Sequence, residues 1–106
     1  MKNYNNPIVE KFIEKVNTEI QSYYSTNLSN ITPPKLTLRV GTKFIKLFND
    51  GCVWGFISRF DGDYKGVPIK KGDLMKAASY DAPAKHSRGS IIDGTARYDV
   101  WGVAYL

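Results

Sequence analysis

The chain changes its apolar period once, and that change limits its fold more than any other feature. Ile8, Val9, Phe12, Ile13, Val16, Ile20 and Tyr23 recur three and four residues apart. Lys11, Glu14, Lys15, Asn17, Thr18 and Gln21 fill the opposite side. An α-helix turns once in about 3.6 residues, so those apolar positions share one face. Asn5 or Asn6 can cap such a helix, and Pro7 suits a first turn that needs no N–H. The pattern predicts an amphipathic helix over 7–24. Its polar side mixes both charges, so the stripe is read as the cover of a sheet and not as a membrane-surface or partner-binding helix.

Ser25 to Pro34 breaks that period with polar residues and a double proline. Alternation follows. Leu36-Thr37-Leu38-Arg39-Val40 ends at Gly41, and Lys43 to Phe48 leads into Asn49-Asp50-Gly51, a hairpin signal. Cys52 to Phe60 reads as a third strand closed by Asp61-Gly62-Asp63. A short strand around Gly66–Ile69 belongs at an edge because of Pro68. Lys71-Gly72-Asp73 is read as a turn, and Leu74 to Ala78 as a short strand or a turn of helix. The expected organisation is a single domain over 1–106 of the α+β class. An N-terminal amphipathic helix packs on a mainly antiparallel sheet. A strand meander covers 36–78, a long basic loop 79–95, and an aromatic extended tail 96–106.

Composition narrows the function. The chain has 106 residues, 42% hydrophobic and 24% charged, which suits one modest core. No apolar run approaches the roughly 18–20 residues of a membrane helix, so no membrane partner is expected. Met1 to Pro7 lacks the apolar stretch of a secretory signal. Cys52 is the one cysteine, which excludes an internal disulfide and suits a reducing compartment. Beside Val53 and Trp54 it reads as a buried filler. There is no metal-ligand spacing and no phosphate-cradling glycine loop. His86 and Ser87 are adjacent, which is the wrong geometry for a nucleophile and its base. The expectation is a binding protein without catalysis, metal or cofactor.

Charge points to what it binds. The net charge is +5, and residues 65–88 alone carry six basic and two acidic groups. Lys85, His86, Ser87 and Arg88 are consecutive and Gly89 follows. A guanidinium grips phosphate oxygens in pairs, a lysine adds a point charge, and hydroxyl and backbone N–H groups add hydrogen bonds. Lys70, Lys71 and Lys76 can approach from the preceding turn and strand, Ser79 can donate, and Tyr80 can stack on a base. The candidate site is therefore Lys70, Lys71, Lys76, Ser79, Tyr80, Lys85, His86, Ser87, Arg88 and Gly89. The bland alternatives stay open: Arg88 pairing with Asp81 or Asp93, a structural His86, serines capping turns, and a core Tyr80.

The run Lys71-Gly72-Asp73-Leu74-Met75-Lys76-Ala77-Ala78-Ser79-Tyr80-Asp81-Ala82-Pro83-Ala84-Lys85-His86-Ser87-Arg88-Gly89-Ser90-Ile91 resembles a block of a small uncharacterised bacteriophage protein family. Gly41 to Lys46, Val53 to Ile57 and the aromatic tail also resemble it, so the likeness covers about 41–106. Tyr80 stands where the family block has tryptophan, and Ser90 where asparagine is common. The tail lacks the family's Gly-Pro step. The resemblance implies a phage or phage-derived origin and a role in the cytoplasm of an infected bacterial host. It carries no activity. The expected partner is a phosphate-bearing small molecule, such as a nucleotide serving as a host immune signal, or single-stranded nucleic acid. The second expectation is a protein-interaction module that inhibits a host enzyme or sits in a virion. It would use a sheet edge with Tyr98, Trp101 and Tyr105, which in the bland reading are core. A homo-oligomer is compatible with either.

Overall fold

The computed structural model of the chain describes residues 6–105. Asn5, one of the two expected helix caps, lies outside them. The helix α1 spans Pro7–Asn27, one turn beyond the predicted end. Asn6 caps it, its Oδ1 accepting the N–H groups of Ile8 at 3.1 Å and Val9 at 3.2 Å. The extra turn carries polar Ser25, Thr26 and Asn27, which an apolar stripe does not register.

Nine strands follow among the described residues. They are β1 (Leu36–Val40), β2 (Phe44–Asn49), β3 (Cys52–Ser58), β4 (Gly62–Tyr64), β5 (Val67–Ile69), β6 (Asp73–Ala77), β7 (Pro83–Ser90), β8 (Tyr98–Asp99) and β9 (Gly102–Val103). The main sheet runs β1-β2-β3-β6-β7, with every pairing antiparallel. β4–β5 and β8–β9 form two separate hairpins. At the β2–β3 turn Asp50 and Gly51 take left-handed angles, φ 50° and 85°, as the Asn-Asp-Gly signal predicts.

One irregularity sets the register. Leu47 faces Gly55 while Phe48 faces Val53, so Trp54 is an extra residue in β3. The bulge turns the indole toward the helix side. There Val9, Phe12, Val16 and Ile20 of α1 pack with Leu36, Ile45, Leu47, Ile57 and Leu74 of the sheet. A Cβ on Gly55 would lie 2.5 Å from Val103 Cγ2, so glycine here admits β9 onto the same face. The other face holds Phe56, Met75 and Ile69, with Phe44, Phe60 and Tyr64 packed on them. The β4–β5 hairpin supplies Ile69 and Tyr64 and covers that part of the sheet.

Three expectations need correction. Pro83–Ser90, read as part of an irregular loop over 79–95, is strand β7. Its pairing with β6 shifts twice, between Asp73 and Met75 and again between Met75 and Ala77, so no clean alternation marks it. Asp61-Gly62-Asp63 is not only a turn, since Gly62–Tyr64 is β4. Cys52 is exposed and not a buried filler, because it opens β3 directly after the turn.

Ile20 is 0% exposed at the joint between α1 and the sheet. Ile20→Ala should cost about 2–5 kcal/mol of stability in urea unfolding, because the helix cannot settle fully into the space left.

Candidate functional site

The residues singled out from the sequence do not converge on one point. Lys70 and Lys71 sit at the turn before β6. There Asp73 Oδ2 accepts the Lys70 N–H at 2.9 Å, and Asp61 Oδ1 accepts the Lys71 N–H at 2.7 Å. Ser79 and Tyr80 lie in the exposed β6–β7 turn. Tyr80 is not core. Its ring carries Lys46 Nζ at 4.2 Å and leans on Phe48 at 6.1 Å between centroids. Lys46 faces Phe56 in the register, which places Tyr80 on the side of the sheet away from α1.

β7 separates the rest. Lys85 and His86 are exposed, while Ser87 is half-buried. The Ser87 hydroxyl donates to Gly89 O at 3.3 Å and accepts the Gly89 N–H at 3.0 Å, so both groups are engaged. Gly89 has φ 98°, and a Cβ there would stand 2.1 Å from Thr95 O. It is glycine because the chain crosses over it. Arg97 N–H donates to Arg88 O at 2.8 Å and Ala96 N–H to Ser90 O at 3.1 Å, which lays residues 96–97 along the outer side of β7.

Arg88 is only 5% exposed, which corrects its reading as an open phosphate grip. Its Nε donates to Ala104 O at 3.0 Å and its Nη1 to His86 O. It pairs with neither Asp81 nor Asp93. Asp81 takes Lys46 at 3.4 Å. Asp93 accepts the Thr95 hydroxyl at 2.6 Å and the Thr95 N–H at 3.0 Å, which hold its carboxyl below the usual carboxylate range.

A tighter group forms where β6, β7 and the C-terminal strand meet. Lys76 Nζ donates to Val103 O at 2.9 Å, one residue before the carbonyl that Arg88 binds. Arg97 accepts the Ala104 N–H on its own carbonyl at 3.1 Å. Burial, and then the neighbouring charge of Arg97, push the Arg88 guanidinium below its ordinary value. Lys76, Arg88 and Arg97 form no ion pair with a described carboxylate. Tyr105, 79% exposed, places its ring 3.9 Å from Lys76 Nζ. Sequence reasoning missed Arg97 and Tyr105 as members of this group. Neither lies in the basic run, and only the crossing over Gly89 brings that segment back.

The tail aromatics divide. Tyr98 is half-buried in the core, whereas Trp101 is 58% exposed and packs on Tyr23 and Tyr24 at 5.4 and 6.1 Å. Tyr98 OH donates to Glu19 Oε1 at 2.8 Å and accepts from Lys15 Nζ at 2.9 Å. Among the described residues no three His, Cys, Asp or Glu gather around one metal position, and no helix is long and apolar enough to cross a membrane. Comparisons with family models, curated proteins and solved structures find no match to this chain.

Burial is the main reason that the Tyr98 phenol stands above its ordinary value, and the Glu19 hydrogen bond adds to it. A raised value means that folding favours the protonated phenol. That contribution is complete below about pH 10 and is lost as pH rises through the raised value. The melting temperature of the native chain should therefore fall more steeply between pH 9.5 and 11 than that of Tyr98→Phe. Parallel pH profiles would show that the phenol is not coupled to folding.

Proposed function

We propose that the chain is a non-catalytic binding protein for a phosphate-bearing ligand, a nucleotide before a nucleic acid strand. One observation supports the reading: Lys76 and Arg88 bind the successive carbonyls of Val103 and Ala104, Arg97 lies beside Arg88, and none of the three forms an ion pair with a described carboxylate. Cations held close together repel each other, and an anion placed between them relieves that repulsion. Carbonyl dipoles at Val103 and Ala104 offset part of the charge, but a dianionic phosphate is the stronger partner. Lys76 and Arg88 hold the carbonyls of two successive residues, a short span that suits one phosphate group better than a long backbone. Tyr105 beside Lys76 offers a ring for a base to stack on. Lys85, exposed on β7, adds a further cation to that strand. A phage-derived protein of this kind would act by sequestering a nucleotide signal in the host cytoplasm.

A second reading rests on Trp101. An exposed indole seated on Tyr23 and Tyr24 is a preformed aromatic anchor for a protein partner. Trp101→Ala should then abolish specific capture of a host protein while nucleotide binding persists. Equal capture by both forms removes this reading.

Native mass spectrometry of the purified chain with a nucleotide and oligonucleotide panel tests the first reading. A nucleotide-sized adduct is expected at a fixed stoichiometry. Arg97→Glu, at an exposed position, should weaken it about tenfold or more by replacing a charge-assisted contact with a repulsion. Binding of oligonucleotides alone, falling steeply with salt, would replace the nucleotide by single-stranded nucleic acid. A bare protein across the whole panel refutes both.

A further inference from the structure

We infer that the groove between the start of α1 and the turn after β7 binds an aliphatic anion, a medium-length acyl chain ending in a carboxylate. The inference is independent of the phosphate site.

Two concavities of about 270 Å³ each meet along Ile8 and Ile91, which line both. Each is close to the lower end of ligand pockets, roughly 300–1,000 Å³. The first has Val9, Ile45, Ile57 and Ile92 as its apolar walls. The second continues over Phe12, Ala96 and Tyr98. Ile8 and Ile92 leave 46% and 53% of their surfaces in water, so a chain laid over them gains by covering apolar area. The buried polar group in the first cavity is already satisfied, since Ser58 Oγ donates to Phe60 O at 2.8 Å and accepts the Phe60 N–H at 3.2 Å. The isoleucine and valine part of the wall thus suits an aliphatic body, while Asn6, which also lines this cavity, is a polar side chain on the anion's side of the match.

The rim asks for something else. Lys71 and Arg59 border one end, and Lys11 and Lys15 the other. No carboxylate lines either cavity among the described residues. Lys15 is engaged with Tyr98 and Glu19, but Lys11 and Lys71 form no ion pair with a described carboxylate. An aliphatic floor under a cationic rim matches an aliphatic tail under an anionic head. A nucleobase finds mostly branched side chains here and few rings to stack on. A second copy docking through the same face would bring two cationic rims together. The head group belongs at Lys71, with the tail over Ile8 and Ile91 toward Phe12.

Sodium decanoate is the probe, titrated into the full chain by calorimetry, with decanol as the uncharged comparison. Saturable binding of decanoate, at least about tenfold tighter than decanol, is expected. Ile8→Glu should reduce it about tenfold or more, and Lys71→Glu several-fold, while circular dichroism stays unchanged. Ile92→Glu, at a second exposed position, repeats the first test without touching the helix. Adduct formation with nucleotides should survive all three substitutions, which separates this groove from the cluster at Lys76. Absence of decanoate binding, equal binding of decanol, or indifference to both Ile8→Glu and Ile92→Glu overturns the inference. A concentration-dependent dimer abolished by Ile8→Glu overturns it in favour of a second copy, and preference for an acidic leucine-rich peptide does so in favour of a protein segment.

Discussion

The indole of Trp54 is the piece on which the other parts rest. It reaches the helix side only because the bulge in β3 adds a residue there. Once there it meets Phe12 of α1 at 6.3 Å and Tyr98 of β8 at 5.7 Å, and those two meet each other at 5.4 Å. Helix, sheet and C-terminal hairpin are thus joined through three tilted rings, a geometry that aromatic quadrupoles favour. The joint has a cost, since Trp54 Nε1 is buried without a hydrogen-bond partner among the described residues. An unmet donor costs about 1–3 kcal/mol, an amount that burial of so large a ring offsets. Gly55 next to it lets Val103 close over the same surface. A single irregularity in β3 therefore decides where the chain ends up some fifty residues later.

That placement governs the cations. Val103 and Ala104 present successive carbonyls to Lys76 and Arg88, which come from neighbouring strands. Neither charge is neutralised by this. A carbonyl is a dipole and screens a cation only partly, so the cluster stays electropositive although Lys76 and Arg88 each hold a carbonyl. Arg97 is drawn in by its backbone, which runs beside β7, and its charge arrives with it. Backbone pairing thus assembles like charges that side-chain energetics alone would keep apart.

The sequence was most legible where one physical signal acted alone. The stripe from Ile8 to Tyr23 specified the helix, and Asn49-Asp50-Gly51 marked the place of the β2–β3 hairpin, whose first strand runs one residue further, to Asn49. Strict alternation marked Leu36–Val40. β7 was illegible because its two register shifts break the alternation by which a strand is recognised. β4 was hidden because Gly62 and Asp63 are turn formers used here in a strand of three residues that Tyr64 completes, held by the β4–β5 hairpin. Within the site, residue type was readable but exposure was not. Arg88 looked like an open cation, and it is buried where its side chain meets Ala104 O and its backbone meets Arg97, partners that lie far enough along the chain to leave no local pattern. Lys46 beside Tyr80, and Tyr105 beside Lys76, are likewise pairings that only the folded sheet creates.

The borders of the main sheet have a consequence for how copies of this chain can associate. On one side, Asn17 of α1 clamps the first residue of β1, accepting the Leu36 N–H at 2.7 Å and donating to Leu36 O at 3.4 Å. On the other, residues 96–97 occupy the outer hydrogen-bonding groups of β7 at Arg88 and Ser90. Lys35 and Arg39 add charge along the β1 margin. Growth by adding strand to strand, the usual route from a small β protein to a fibre, is thereby hindered at Leu36 on one margin and at Arg88 and Ser90 on the other. A flat surface, and not a free strand edge, is what these two positions leave for another molecule to meet.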